Sequence, residues 1–240
     1  MRFSCVHAGL DAAWVGIDAE CPFLDTNLIY VELSLAFNSR FEEEQYMLID
    51  LSLHIDMNDP VVGKANMDQH SFMSAGHIGT HLDTYLQTPI PIDYHSRVGK
   101  VYDASQFRDK EVDLSVLDAN PPEKGDFVIF HTGFLGEYSY GTREYFKQHP
   151  QLSWELIDHL IAQEVSFIGI DTAGVRRSPE HVPADKRAEE HGVYIIENLN
   201  NIGALQQEAG KRNFRVFTGW TGLKGFSGLS CKVIADTASA

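Results

Sequence analysis

The chain has 240 residues, 43% of them hydrophobic and 22% charged, enough for one sizeable core of ordinary globular composition. A formal net charge of −15 argues against a nucleic-acid surface or an anionic membrane as partner, since both reward lysine and arginine. Cys5, Cys21 and Cys231 show no CxxC spacing, the early acids Asp11, Asp18 and Glu20 break any signal-like core, and no membrane-length apolar run occurs; a cytoplasmic protein with free thiols is expected.

Residues 1–45 read as an N-terminal extension packed on the core, with a strand over 28–37 that closes on Asn38-Ser39. Residues 46–240 read as one domain. A second strand is expected over 46–55, where Asp50 and Ser52 alternate with apolar neighbours before the turn signal Asn58-Asp59-Pro60.

The stretch from Ala75 to Gln87 is the densest in chemistry: His77, His81, Asp83 and Gln87, with Gly79 between the histidines. Imidazole plus carboxylate suits zinc, manganese or iron. A flat strand would hold His77 and Asp83 ~20 Å apart, and a regular helix would pair the histidines but turn Asp83 away. The segment must therefore bend, and Gly79 is the residue most able to let it.

Pro89 and Pro91 open a linker towards Val101, and Val112-Asp113-Leu114 suggests a short strand. Phe127-Val128-Ile129-Phe130 suits a buried strand, with Thr132 and Gly133 in the loop that follows. Leu152–Ile161 is the clearest helix, capped by Ser153, with Leu156, Leu160 and Ile161 at helical spacing. Val165–Thr172 returns as a strand, which suggests a crossover unit. Residues 174–192 read as a long polar loop or a short exposed helix, with Arg176 and Arg177 as a solvated pair. Strands are expected at 193–196, 214–220 and 230–235. The glycines at 219, 222, 225 and 228 lack a dinucleotide-binding context, and Trp220 among them is the tryptophan best placed for a pocket.

In this order the landmarks resemble the cyclase family of metal-dependent hydrolases, which includes bacterial kynurenine formamidases and isatin hydrolases. The matching pieces are Asp50-Leu51-Ser52, His77-x-Gly79-Thr80-His81-x-Asp83, Gly125-Asp126 through Thr132-Gly133, Ile168–Thr172 and Ile196-Glu197-x-Leu199. The resemblance implies an α/β fold with a mixed, barrel-like β core flanked by helices, of the swivelling β/β/α type, assembled as a homodimer or homotetramer. It implies a divalent ion, zinc or manganese, held by His77, His81, Asp83 and Glu197, and a small-molecule substrate; one ion per chain is expected because the histidines of a second site are replaced in this sequence.

Two departures stand out. The family motif continues with a histidine where Gln87 stands, and relatives with two metals carry another where Asp185 stands. Gln87 is no base near neutral pH, so Asp185 or Glu197 would have to take the proton, with Thr132 and the Gly133 amide orienting substrate. Hydrolysis of an amide, cyclic imide or lactone-type bond is the first expectation. A cyclase or isomerase with an enolate-type intermediate and a non-catalytic binding protein are the alternatives.

Overall fold

The computed structural model describes residues 47–238 except 109, 118 and 119. The extension over 1–45, its expected strand, Cys5 and Cys21 lie outside the described residues.

Eight strands form one sheet: β1 (Leu48–Asp50), β2 (His81–Asp83), β3 (Ser96–Asp103), β4 (Phe127–His131), β5 (Phe167–Ile170), β6 (Tyr194–Glu197), β7 (Phe214–Trp220) and β8 (Gly228–Asp236). The order is β1-β8-β2-β6-β5-β4-β3-β7, and β7 pairs back onto β8. Seven strands thus close into a mixed barrel, with β1 added beside the C-terminal half of β8. Strands β3 to β6 run parallel, whereas β2 is antiparallel to β6 and places His81 opposite Glu197. This pairing brings the start of β2 to the carboxyl end of the parallel strands, where open α/β sheets also collect ligands.

The helices are α1 (Pro60–Met67), α2 (Phe134–Glu137), α3 (Arg143–Gln148), α4 (Trp154–Ala162), α5 (His181–Glu189) and α6 (Ile202–Ala209). Helix α4 is the crossover the apolar pattern implied, with Ser153 Oγ accepting from Leu156 N as cap. Its buried Leu156 and Leu160 pack with Val128, Phe130, Ile168 and Ile170 on one face of the sheet. Phe127, Ile129, Phe167, Ile196, Leu82, Val216 and Val233 form the second cluster, drawn from strands around the whole ring. The period-2 pleat sorts these neighbours to opposite faces.

Several local expectations change. The strand expected over 46–55 is short, Leu48–Asp50 plus a bridge from Ser52 to Leu199. Asp59-Pro60 caps and begins α1 rather than ending in a turn: the Asp59 carboxylate accepts from Val61 and Val62 N, and proline sits where no helical N–H is required. The linker towards Val101 contains the eight-residue β3. Val112 makes one bridge and Leu114–Leu117 a 3₁₀ turn, in place of a strand. The polar loop over 174–192 contains α5, whose Ala184, Asp185, Ala188 and Glu189 are buried. Arg176 is likewise buried, 5% exposed, bound to Glu111, Glu180 and the Leu152 carbonyl. No helix among the described residues is long and apolar enough to cross a membrane.

Candidate metal centre

The backbone bends sharply before β2. Gly76 and Gly79 both take positive φ (98° and 61°), which glycine adopts without a Cβ penalty. A Cβ on Gly76 would stand 1.9 Å from the Gly228 carbonyl oxygen, and one on Gly228 would stand 2.8 Å from His77 N. The expected bend at Gly79 is present, and it folds His77 back beside His81.

Three hydrogen bonds then set the rings. His81 Nδ1 donates to the Gly79 carbonyl (2.9 Å), a carbonyl that also accepts from Asn198 Nδ2 (2.9 Å). Its Nε2 is therefore a lone pair, 3.1 Å from His77 Nδ1, 3.4 Å from Asp83 Oδ1 and 3.5 Å from Glu197 Oε2. His77 Nε2 meets Ser227 Oγ at 2.8 Å; as donor there it leaves its Nδ1 facing Asp83 Oδ1 at 2.9 Å. Anchoring the outer ring nitrogen so that the inner one faces the centre is how metal-binding histidines are oriented.

Glu197 extends from the end of β6 and Asp83 from the end of β2, both buried. Asp185, from α5, and His181, one turn earlier on the same face, complete the cluster: His181 Nε2 lies 3.3 Å from Asp185 Oδ2 and 3.4 Å from Glu197 Oε1. The ligand atoms of His77, His81 and Asp83 form one group and those of Asp83, His181, Asp185 and Glu197 another, each within 4.8 Å.

The buried carboxylates could hold a cation. Both oxygens of Asp83, both of Asp185 and Oε1 of Glu197 are buried without a hydrogen-bond partner. Such groups are strongly disfavoured unless hydrogen-bonded, protonated or bound to metal. Burial, reinforced by Asp83, pushes the Asp185 and Glu197 carboxyls well above their ordinary range. Burial acts the same way on Asp83, but protons on the inner ring nitrogens of His81 and His77, whose place a bound ion would take, outweigh it and hold its carboxyl low. Converging ring lone pairs and bare carboxylate oxygens fit a divalent ion of the zinc or manganese kind.

His77, His81 and Glu197 line a cavity of about 320 Å³. Phe72, Tyr85, Tyr140 and Phe146 supply aromatic walls, and Lys147 and Arg177 stand at its exposed rim. Tyr85 stacks on His77 with ring centroids 5.3 Å apart. Tyr140 Oη accepts from Gly79 N at 3.0 Å, and burial pushes its phenol up to about 12.

Two expected site residues lie elsewhere. Gln87 is exposed with φ 55°; its Oε1 accepts from Gly225 N (3.3 Å), and it lines a separate groove with Trp220 and Leu223. The turn that begins at Thr84 swings it off the cluster, so it can neither ligate nor orient substrate there. Thr132 is fully buried, and its Oγ1 and N donate to Asp171 Oδ1 (2.6 and 2.9 Å) while Gly133 N donates to Asp171 Oδ2 (2.7 Å). With these donors turned to Asp171, Thr132 and Gly133 do not line the cavity where they were expected to orient substrate. Trp220 stacks on His95 at 3.9 Å, outside the cavity. Ser227 and Asn198 were absent from the expected site; His181, like His191, lies near Asp185 in sequence but has no place in the family motif, and its His-x-x-x-Asp spacing with Asp185 was the readable sign of it.

A family model described as "Putative cyclase" matches residues 49–177, more than half of the chain. The chain belongs to the cyclase family. Solved structures agree with the family fold. One described as a "potential metal-dependent hydrolase with cyclase activity" matches at 19% identity and TM-score 0.60, over 80% of this chain and 98% of its own. Isatin hydrolase A from Labrenzia aggregata matches at 17% identity and TM-score 0.64, over 89% and 100%. Isatin hydrolase A from Ralstonia solanacearum matches at 18% and 0.59, over 90% and 99%. No curated protein matches the sequence. In this cyclase-family chain, His77, His81 and Asp83 form one group that could hold a metal ion, and Asp83, His181, Asp185 and Glu197 form another.

Proposed function

We propose that this cyclase-family protein is a divalent-metal-dependent hydrolase that opens an amide, cyclic imide or lactone-type bond of a small molecule. The observation that carries the reading is the convergence of His77 Nδ1, His81 Nε2, Asp83 and Glu197 at the floor of an aromatic-walled cavity. Bound there, zinc or manganese supplies acidified water and Lewis-acid polarisation of a carbonyl.

The chain's own residues do the rest. The Gly79 carbonyl fixes the His81 tautomer, and Ser227 Oγ holds the outer nitrogen of His77. Tyr85, stacked on His77, and the neighbouring aromatics exclude water and offer apolar walls to a flat substrate ring. Glu197 and Asp185, whose carboxyls are pushed up by burial, are the acid–base candidates able to receive a proton and return it to the leaving group. Lys147 and Arg177, which make no side-chain ion pair among the described residues, attract an acidic group on substrate or the carboxylate product of ring opening.

The test is metal analysis paired with turnover of a panel of cyclic imides, N-acyl anilines and lactones. His81→Ala should lose the metal and lower kcat/KM by more than the ~10–100-fold typical of an outer-shell partner. Turnover unaffected by His81→Ala and by chelation would overturn the reading. A rearranged or cyclised product formed without labelled oxygen from water would instead favour cyclase or isomerase chemistry.

A further inference from the structure

The donors expected at Thr132 and Gly133 are turned away from the cavity. Hydrolysis of a carbonyl compound gains from such a donor, because the carbonyl oxygen takes on charge as water adds. Tyr140 lines the cavity with its hydrogen bonding half complete. Its Oη accepts from Gly79 N at 3.0 Å, and its hydroxyl hydrogen meets no acceptor among the described residues. Buried tyrosines elsewhere spend that hydrogen inside the fold. Tyr102 donates to the Asn120 carbonyl (2.6 Å), Tyr145 to Asn198 Oδ1 (2.7 Å) and Tyr194 to the Pro89 carbonyl (3.2 Å).

The ring is held by its neighbours, with centroids 5.6 Å from Tyr145 and 5.4 Å from Phe146. Gly79 gives its N–H to Tyr140 and its carbonyl to His81 Nδ1, so one residue sets both the phenol and the imidazole. An N–H donated to a hydroxyl oxygen polarises the O–H and makes it a stronger donor in turn. Glu197 is the charge that acts on this phenol. Tyr85, the other tyrosine of the cavity, stands in the combined field of Asp83, Asp185 and Glu197, which opposes a further anion more strongly.

We propose that Tyr140 is the oxyanion donor of this site: its hydroxyl hydrogen-bonds the substrate carbonyl oxygen, and the bond strengthens as water adds. The role rests on the hydrolase reading. A phenol keeps its proton near neutral pH, and burial holds Tyr140 protonated more firmly still. The hydrogen therefore stays on Oη throughout, and Glu197 and Asp185 remain the groups that move protons.

The experiment compares wild type with Tyr140→Phe, full-length and zinc-loaded, for binding of phenylphosphonate, a tetrahedral oxyanion that carries a flat ring. Tyr140→Phe should keep its zinc and bind phenylphosphonate ~10-fold or more weakly than wild type. Indole, a ring without an oxyanion, should bind both proteins equally, a contrast that a merely structural Tyr140 would not give. On panel compounds that turn over, kcat should fall roughly 100-fold with KM nearly unchanged. Equal phenylphosphonate affinity in the two proteins, no binding to either, or an equal loss for indole overturns the proposal. Tyr140→Phe also strands the Gly79 N–H, so a second variant, Tyr140→3-fluorotyrosine, keeps the oxygen and sharpens the donor. It should bind phenylphosphonate more tightly than wild type, and failure to do so overturns the proposal even where Tyr140→Phe does not fold. Tighter phenylphosphonate binding by wild type than by Tyr140→Phe, with no turnover of any panel compound, would sustain the donor and overturn only the hydrolase reading.

Discussion

The two ends of the parallel strands handle buried charge in opposite ways. At the amino end, Lys100 is 1% exposed and fully engaged: its Nζ lies 3.0 Å from Asp126 Oδ2, 2.7 Å from the Pro121 carbonyl and 3.3 Å from Glu123 Oε1. Asp126 also accepts from Glu123 N. At the carboxyl end, three carboxylates crowd together with five oxygens unpartnered. The first arrangement is complete within the chain, whereas the second leaves carboxylate oxygens that could take a cation. The difference separates a structural ion pair from a functional centre more clearly than burial does, since both are equally buried.

The sharpest way to break this comparison is at the amino end. Lys100→Met should destabilise the protein by about 3–5 kcal/mol in denaturant unfolding, because it strands the Asp126 charge. Adding Asp126→Leu should recover most of that loss, and metal content should be unchanged in both variants. Loss of metal in Lys100→Met would show that the two ends are not independent.

The carboxyl end adds a pH dependence through His149, which lines the cavity at 1% exposure with its ring N–H bonded to the Pro150 carbonyl. Burial holds its pKa down to about 4, against 6.5 in the unfolded chain. Between those values the unfolded state takes up a proton that the folded state refuses. Stability present above pH 6.5 should therefore fall, by on the order of 3 kcal/mol, as the pH drops to about 4. His149→Gln should flatten that part of the stability–pH profile; an unchanged slope would rule His149 out as its source.

A smaller effect is expected from Ser227→Ala, which removes the partner of His77 Nε2 and leaves every ligand in place. Metal affinity should weaken ~10–100-fold, read by competition with a chelator, with the thermal midpoint of metal-free protein little changed. The smallest is Arg177→Ala at the rim: KM for acidic substrates should rise a few-fold, kcat should hold, and the effect should shrink with salt. Equal change for neutral substrates would place Arg177 in a structural role.

The sequence made β4, β5, β6 and α4 legible because their buried faces are apolar and keep the period of their element. It hid β3 and α5 for one shared reason: each buries charge. Lys100 interrupts the apolar pattern of β3, and the inner face of α5 carries Asp185 and Glu189 beside two alanines. The family motif also grouped His77, His81, Asp83 and Glu197; the structure sets His77 and His81 with Asp83, and Glu197 with Asp83, His181 and Asp185. Gln87 and Thr132 went astray because a position in a motif does not say where the side chain points. A positive φ turns one away, and Asp171 captures the other. Family resemblance located the loss of two histidines, whereas the three-dimensional arrangement adds His181, 3.3 Å from Asp185, which the motif does not name.

The contact between Gly76 and Gly228 sets a boundary on how this scaffold can vary. Each residue's missing side chain is the room the other occupies, and neither clash can be relieved by shrinking its partner, which is already glycine. No compensating double change is open to a lineage at this pair. Efforts to redirect the scaffold to new substrates should hold both positions constant and draw their diversity from the aromatic walls at Phe72, Tyr85 and Phe146, where the backbone does not depend on the absence of a side chain.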